Sequence, residues 1–240
     1  MSRFYISKII TGGTVAITDA GQLHHLRNVL RLNIGEEIIV FDMGGVEYLC
    51  VINGLDKKQA VLTIKNRKPR PPKNMMIAIA CAVPKKARFD DIIDKLTQLG
   101  VDTIIPLDTD RSVVKLEENP EARLERWQRI ARNASEQSRR NTLPVVTRVL
   151  NVAGVLDYAA DYDLKLISTL AGEVKPISCV MAGSKPEKIL VLIGPEGDFT
   201  HDEVDLAVKA DFIPVSLGDA VLRVETAAIA IAGYLRLSFK

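Results

Sequence analysis

The chain has 240 residues, 47% apolar and 26% charged, enough for a small domain plus a medium one with a real core. No apolar run approaches the roughly 18 residues of a membrane helix, and no long apolar stretch follows Met1-Ser2-Arg3-Phe4-Tyr5-Ile6, so neither a membrane span nor a signal peptide is expected. The net charge of +2 is unevenly spread: residues 1–73 hold 11 Lys and Arg against 6 Asp and Glu (+5), and residues 74–240 hold 21 against 24 (−3). The basic part suits an anionic partner such as nucleic acid, although a solvated basic face would read the same way.

In chain order, Phe4–Ile6, Thr14–Ile17, Glu37–Phe41, Tyr48–Ile52 and Ala60–Ile64 are rich in β-branched or aromatic residues. Turn signals separate them, at Gly12-Gly13, Asn33-Ile34-Gly35, Met43-Gly44-Gly45 and Asn53-Gly54. With one short helix at Gln22–Leu30, they predict a small β-barrel over residues 1–70. Residues 67–74, Arg-Lys-Pro-Arg-Pro-Pro-Lys-Asn, read as a basic, proline-rich linker.

Beyond it the periodicity changes, and residues 74–240 predict an α/β domain. Met75–Ala82 is a continuous apolar run, as in a strand buried on both faces. Phe89, Ile92, Ile93, Leu96 and Leu99 then recur at helical spacing, Gly100 caps the helix, and Val101–Leu107 is a strand again. That is a βαβ unit, which implies a parallel sheet. Asn119-Pro120 opens a helix with an apolar face of Leu124, Trp127, Ala131 and Ala134 and many arginines elsewhere. Further strands are expected at Val145–Leu150, Leu164–Ser168, Ile189–Ile193 and Phe212–Leu217, and helices at Val152–Ala160, His201–Ala210 and Thr226–Leu237.

Cys50, Cys81 and Cys179 have no ligand spacing among themselves or with His24, His25 or His201, so reduced thiols and no metal site are expected. Two loops stand out instead. Gly194-Pro195-Glu196-Gly197-Asp198-Phe199-Thr200 joins a buried strand to a helix whose start is marked by a Thr200/Glu203 capping box. Ser216 to Ala227 again joins a strand to a helix, with Arg223 and Glu225 at the helix entrance. Glycine-bearing strand-to-helix loops are where open α/β sheets bind ligands, but a tight turn and a capping ion pair between Arg223 and Glu225 explain the same residues. No P-loop or GxGxxG signature is present.

The ordered set Gly194-Pro195-Glu196-Gly197 with Phe199, then Leu217-Gly218, Leu222-Arg223 and Glu225-Thr226-Ala227, resembles the SPOUT methyltransferases. More narrowly it is similar to the RsmE family of 16S rRNA (uracil-N3)-methyltransferases. Arg3-Phe4, the run His24 to Arg31, the run Lys95 to Val101 and Ala134 to Arg140 agree, so the resemblance covers essentially the whole chain. It implies a PUA-like barrel that docks RNA, followed by a SPOUT parallel sheet with a C-terminal trefoil knot. It implies a cytoplasmic homodimer that uses S-adenosylmethionine to methylate N3 of a uridine in 16S rRNA of the small ribosomal subunit. Carried over by position, Leu170, Gly172, Gly194, Glu196, Gly197, Leu217, Gly218, Val221 and Leu222 would hold the donor. The chain departs from the pattern at Asp198, where a second glycine is usual, at Asp219-Ala220, where Pro-Arg is usual, and at Val224, where Thr is usual.

Methylating N3 of uracil requires loss of its proton and an in-line methyl donor. Arg223 is the candidate to stabilise charge on a uracil carbonyl, and Glu225, with Glu196 second, to accept the proton. Arg3, Arg27, Arg31, Arg139 and Arg140, with the linker's Arg67, Lys68 and Arg70, are candidate phosphate contacts. Three other readings stay open: a non-catalytic ribosome-assembly factor that keeps the fold, a SPOUT enzyme with another RNA target such as a ribose hydroxyl, and a metabolic enzyme with a nucleotide cofactor.

Overall fold

The structure, a computed structural model, describes the chain except residues 71, 74, 86, 87, 113, 115–118, 239 and 240. Pro71 and Asn74 of the expected linker therefore lie outside the described residues. The chain divides into two units, residues 1–72 with 135–143 and residues 73–134 with 144–240. Ser135–Leu143 thus falls with the N-terminal unit, far from it in sequence.

The first unit is built on five strands, β1 (Arg3–Ile6), β2 (Thr14–Ile17), β3 (Glu37–Asp42), β4 (Glu47–Leu55) and β5 (Ala60–Lys68). They pair in the order β1-β3-β4-β5-β2, with β1 and β3 parallel and the other pairs antiparallel. The period of two is plain in β4, where Tyr48, Cys50 and Ile52 are buried and the residues between them are half-buried. One core gathers Phe4, Ile6, Val15, Ile17, Ile38, Val40, Ile52 and Leu62, so all five strands wrap the same interior. Inside it, Asp42 is 1% exposed, yet Oδ2 accepts from the Ile10 N–H and the Tyr48 hydroxyl and Oδ1 accepts from the Val46 N–H. A buried carboxylate persists only when satisfied in this way.

Three expectations change here. Asn53-Gly54 is not a turn: both residues lie within β4, where the register shifts at a bulge between Ile52 and Gly54. The turn falls at Asp56–Gln59, where the Asp56 carboxylate accepts from the Lys58 and Gln59 N–H groups. The Gln22–Leu30 helix is α1 (Ala20–His24) followed by a π-helical turn, His25–Val29, closed by the Leu30 N–H on the His25 carbonyl. Arg31 then has φ 54, so the helical run ends before it. Arg67 and Lys68 belong to β5, opposite Tyr48 and Glu47, and are not linker.

The second unit is a wholly parallel sheet. Its strands are β6 (Met76–Ala82), β7 (Thr103–Asp108), β8 (Val145–Val146), β9 (Leu150–Asn151), β10 (Leu164–Ser168), β11 (Lys175–Pro176), β12 (Lys188–Ile193) and β13 (Ile213–Ser216). They run β11-β13-β10-β12-β6-β7-β8, with β9 also on β7. The expected strand Val145–Leu150 is thus two short pieces, β8 and β9. The helices are α2 (Arg88–Gln98), α3 (Pro120–Gln137), α4 (Val152–Tyr158), α5 (Ile177–Met181), α6 (His201–Lys209) and α7 (Val224–Ser238), of which α5 and its neighbour β11 had no sequence signal.

Alternate residues of β6 feed opposite cores, which is why its sequence is apolar without a break. Ile77, Ile79 and Cys81 join Phe89, Ile92 and Leu96 of α2 and Ala228, Ile231 and Leu235 of α7. Ala78 and Ala80 join Val155 of α4, Val204 and Ala207 of α6 and Phe199. α2 ends in a Schellman motif: Gly100 has φ 80, its N–H bonds to the Thr97 carbonyl, and the Val101 N–H bonds to that of Leu96. No helix among the described residues is long and apolar enough to cross a membrane.

Candidate functional site

The register of the sheet assembles the site. Ser168 at the end of β10 is level with Ile193 at the end of β12 and with Val215 near the end of β13. The three chains therefore leave the sheet side by side at its carboxyl edge, as residues 169–172, 194–200 and 217–223. Between them and the start of α7 lies an open cleft at the sheet's carboxyl edge, the usual place for a ligand in an open α/β sheet. Of the residues that the resemblance assigns to the donor, Leu170, Gly194, Glu196, Leu217, Gly218, Val221 and Leu222 line it, while Gly172 and Gly197 do not. Asp198, Ala220 and Val224, three of the departures from the family pattern, line it as well.

The glycines act in different ways. Gly218 has φ 123, a backbone that side chains rarely adopt, and a Cβ there would meet nothing within 4 Å. Gly194 is constrained by packing: a Cβ would sit 3.0 Å from two ring carbons of Phe199, which is 1% exposed. Its bare α-carbon thus makes room for the core below the loop. Gly197 bears on a residue that sequence reasoning missed, Arg111, which donates to the Gly197 carbonyl at 2.7 Å and to that of Phe199 at 3.1 Å. Arg111 follows β7, 86 residues earlier, and nothing local marks it. Glu203, 5% exposed, completes the expected capping box with Thr200 and also accepts from the Asp110 N–H at 3.0 Å. Loop 109–112 is thereby fastened under loop 194–200.

The Arg223–Glu225 ion pair, the alternative explanation of these residues, does not form. Arg223 is exposed, and Glu225 faces Arg88 of α2 at 3.6 Å, with a buried Oε2 that has no hydrogen-bond partner. Neither lines the cleft; Glu196 is the glutamate that does. Burial, then the charges of Glu225 and Glu196, push the Cys81 thiol well above its usual value, which places both carboxylates near the end of β6. Cys50 is also buried, whereas Cys179 is exposed. No metal-holding cluster occurs among the described residues.

In the first unit, Arg3, Lys68 and Arg139 line one cavity with Glu47 and Asn141. The Arg3 side chain is 6% exposed and bonds to Glu47 and Asn141, whereas Lys68 and Arg139 are exposed. Arg140 is half-buried and donates to Thr142. Arg27 is half-buried beside the Asp56 turn, and Arg31 is exposed.

A parallel sheet with a loop-built cleft at its carboxyl edge, preceded by a basic β-unit, fits an RNA-modifying transferase, and the comparisons agree. The RNA methyltransferase domain family matches residues 71–236, and the RNA methyltransferase PUA domain family matches residues 17–65. Ribosomal RNA small subunit methyltransferase E of Bacillus subtilis (strain 168) is 33% identical over 240 residues, covering 95% of this chain and 93% of that one. The protein of the same name from Synechocystis is 35% identical over 222 residues, covering 91% and 71%. The solved structure of that methyltransferase from Neisseria gonorrhoeae, bound to S-adenosyl methionine, superposes with a TM-score of 0.89 at 30% identity, covering 100% and 98%. A Legionella pneumophila methyltransferase in complex with the cofactor SAM gives 0.88 at 29% identity, covering 99% and 97%. The fold and the matched families define an RNA methyltransferase. Within that class, the chain belongs to the ribosomal RNA small subunit methyltransferase E family.

Proposed function

We propose that the protein methylates N3 of a uridine in 16S rRNA of the small ribosomal subunit, taking the methyl group from S-adenosylmethionine held in the cleft. The observation that carries this is the cleft itself, formed by three loops at one sheet edge in a chain of this family. Its chemistry fits the donor. Leu170, Leu217, Val221 and Leu222 offer apolar surface to an adenine ring, and the backbone at Gly194 and Gly218 offers polar groups at close range. When bound, the donor supplies a methyl group on a sulfonium leaving group.

The chain's own residues must manage the proton and the charge. N3 carries a proton at neutral pH and lies on the pairing edge, so the base is read unpaired or flipped out. Glu196 borders the cleft and is the carboxylate offered as proton acceptor; Glu225, held by Arg88, anchors the start of α7. Arg223, exposed between the cleft residues Leu222 and Val224, stabilises charge developing on a uracil carbonyl. The first unit docks the RNA through the exposed charges of Lys68 and Arg139, over a floor set by the buried Arg3.

The same reading includes a cytoplasmic homodimer and the knotted threading of the C-terminal segment. Thr226, Ala230 and Leu237 stay exposed on α7, opposite its buried Ala227, Ala228 and Ile231. A monomer by light scattering at micromolar concentration overturns the dimer.

The deciding experiment is mass spectrometry of small-subunit rRNA nucleosides from cells with and without the protein. 3-Methyluridine lost with the protein and restored by its return is the expected result. A ribose-methylated nucleoside lost instead, or no change, overturns the target. For the roles, Glu196→Gln should lower kcat by at least about tenfold with little change in donor affinity. An unchanged kcat assigns the proton acceptor elsewhere, with Glu225 next.

A further inference from the structure

Asp198 stands where loop 194–200 needs a left-handed backbone, with φ 60, a conformation that aspartate tolerates better than most side chains. Its carboxylate binds in two directions. Oδ1 accepts from the Phe199 N–H at 2.8 Å, within its own loop. Oδ2 accepts from the Thr169 hydroxyl at 2.9 Å and the Leu170 N–H at 2.8 Å, across the cleft wall on the loop that leaves β10. Thr169 is 4% exposed and its Oγ1 accepts from the Ala171 N–H, so the chain Ala171 to Thr169 to Asp198 has a fixed donor direction that only an acceptor at 198 can end. Asp198 thereby holds Leu170, 62% exposed, against the cleft.

The charge matters as well as the geometry. Among the described residues lining the cleft, the ionisable side chains are Glu196 and Asp198, and none is cationic. A sulfonium donor enters with one more positive charge than the thioether left after its methyl group has gone. A cleft lined by carboxylates therefore holds donor more tightly than product, and the difference disappears from the binding energy when the methyl group is transferred.

We propose that Asp198 is a positioning and specificity-determining residue of this cleft: it ties loop 169–172 to loop 194–200, and its charge makes the site prefer the cationic sulfonium donor over the neutral-sulfur product. This rests on the donor reading above. The test is calorimetry of S-adenosylmethionine and S-adenosylhomocysteine binding to the full chain, Asp198→Asn and Asp198→Gly, with thermal melts as the folding control. Asp198→Asn keeps the size and one acceptor but removes the charge. It should weaken donor binding about three- to tenfold more than product binding. Asp198→Gly accepts the backbone conformation but removes the tie, and should weaken both ligands while also lowering the ratio. A staple without a charge role would weaken both ligands equally in both variants, which overturns the specificity claim; unchanged affinities in both variants overturn the whole proposal. If neither variant folds, the native protein still decides. Its donor affinity should fall from 50 mM to 500 mM salt while product affinity stays level, and a ratio insensitive to salt overturns the charge claim. If the unaltered protein binds neither ligand, the donor reading itself fails, a result distinct from binding without discrimination.

Discussion

Gly194 shows how a residue can be read correctly as special and for an incomplete reason. In the sequence it is a glycine in a loop that a ligand approaches. In the structure its missing Cβ faces the ring of Phe199, which fills the core under the loop. Gly194→Ala should therefore act first on stability. A methyl group 3.0 Å from two ring carbons forces the ring or the loop to shift, and such overpacking typically costs about 1–3 kcal/mol. Denaturant titration should show the loss, and Phe199→Leu in the same chain should recover part of it, because the two positions share one space. Full additivity of the two changes would refute the contact. Asp198 carries the opposite lesson: the sequence marks it only as an absent glycine, and two of its carboxylate's three hydrogen bonds come from a partner loop 28 and 29 residues away. Arg111 and the Arg88–Glu225 pair were invisible for the same reason, being set by which strand ends lie together.

At the scale of elements, long periodic segments were legible and short ones were not. β6, α2, α6 and α7 announce themselves because their apolar spacing extends over many residues. Asn53-Gly54 misleads because β4 continues through it as a bulge, and the π-helical turn after α1 leaves no pattern distinct from an α-helix. β11 and α5 are too brief to show a period. Chemistry not visible in any pattern accumulates on β4. Burial raises the Cys50 thiol to about 11, and burial, then the hydrogen bond and the charge of Asp42, raise the Tyr48 hydroxyl. Both groups are neutral when protonated, and the folded unit keeps their protons to higher pH than the unfolded chain does. The Cys50 contribution to stability is thus complete below the ordinary thiol value near 9 and is lost as pH rises toward about 11, and the Tyr48 contribution begins to fall only above the ordinary phenol value of 10. Thermal melts should show a midpoint falling across that window, and Cys50→Val should flatten part of the fall. A midpoint level from pH 9 to 11 would count against the assignment.

For the whole molecule, the charge asymmetry of the sequence suggests that the proposed RNA docking and donor binding are separable. The cleft is lined by residues of the second unit, and the cavity lined by Lys68 and Arg139 by residues of the first. What composition could not say is which cations are available. Arg3 looks like a phosphate contact in the sequence, yet its side chain is buried and bonded to Glu47 and Asn141. Arg139 lies in a segment that belongs by sequence to the larger part and by packing to the smaller. Lys68→Ala together with Arg139→Ala should weaken binding of small-subunit rRNA and reduce the slope of log affinity against log salt by roughly 1.5, because two fewer phosphate contacts release fewer counterions. Arg27→Ala together with Arg31→Ala should do less, since Arg27 is half-buried beside Asp56 and Arg31 stands apart from the cavity. Donor affinity should be the same in both double variants, because no side chain of the cleft has been touched. Filter binding across a salt series, beside donor calorimetry, separates the outcomes. A Lys68/Arg139 variant that binds RNA normally at every salt concentration would move the RNA surface to the arginines of α3, where Arg126, Arg129 and Arg132 line a cavity of their own. A variant that loses RNA and donor together would show instead that the two binding events are coupled through the chain.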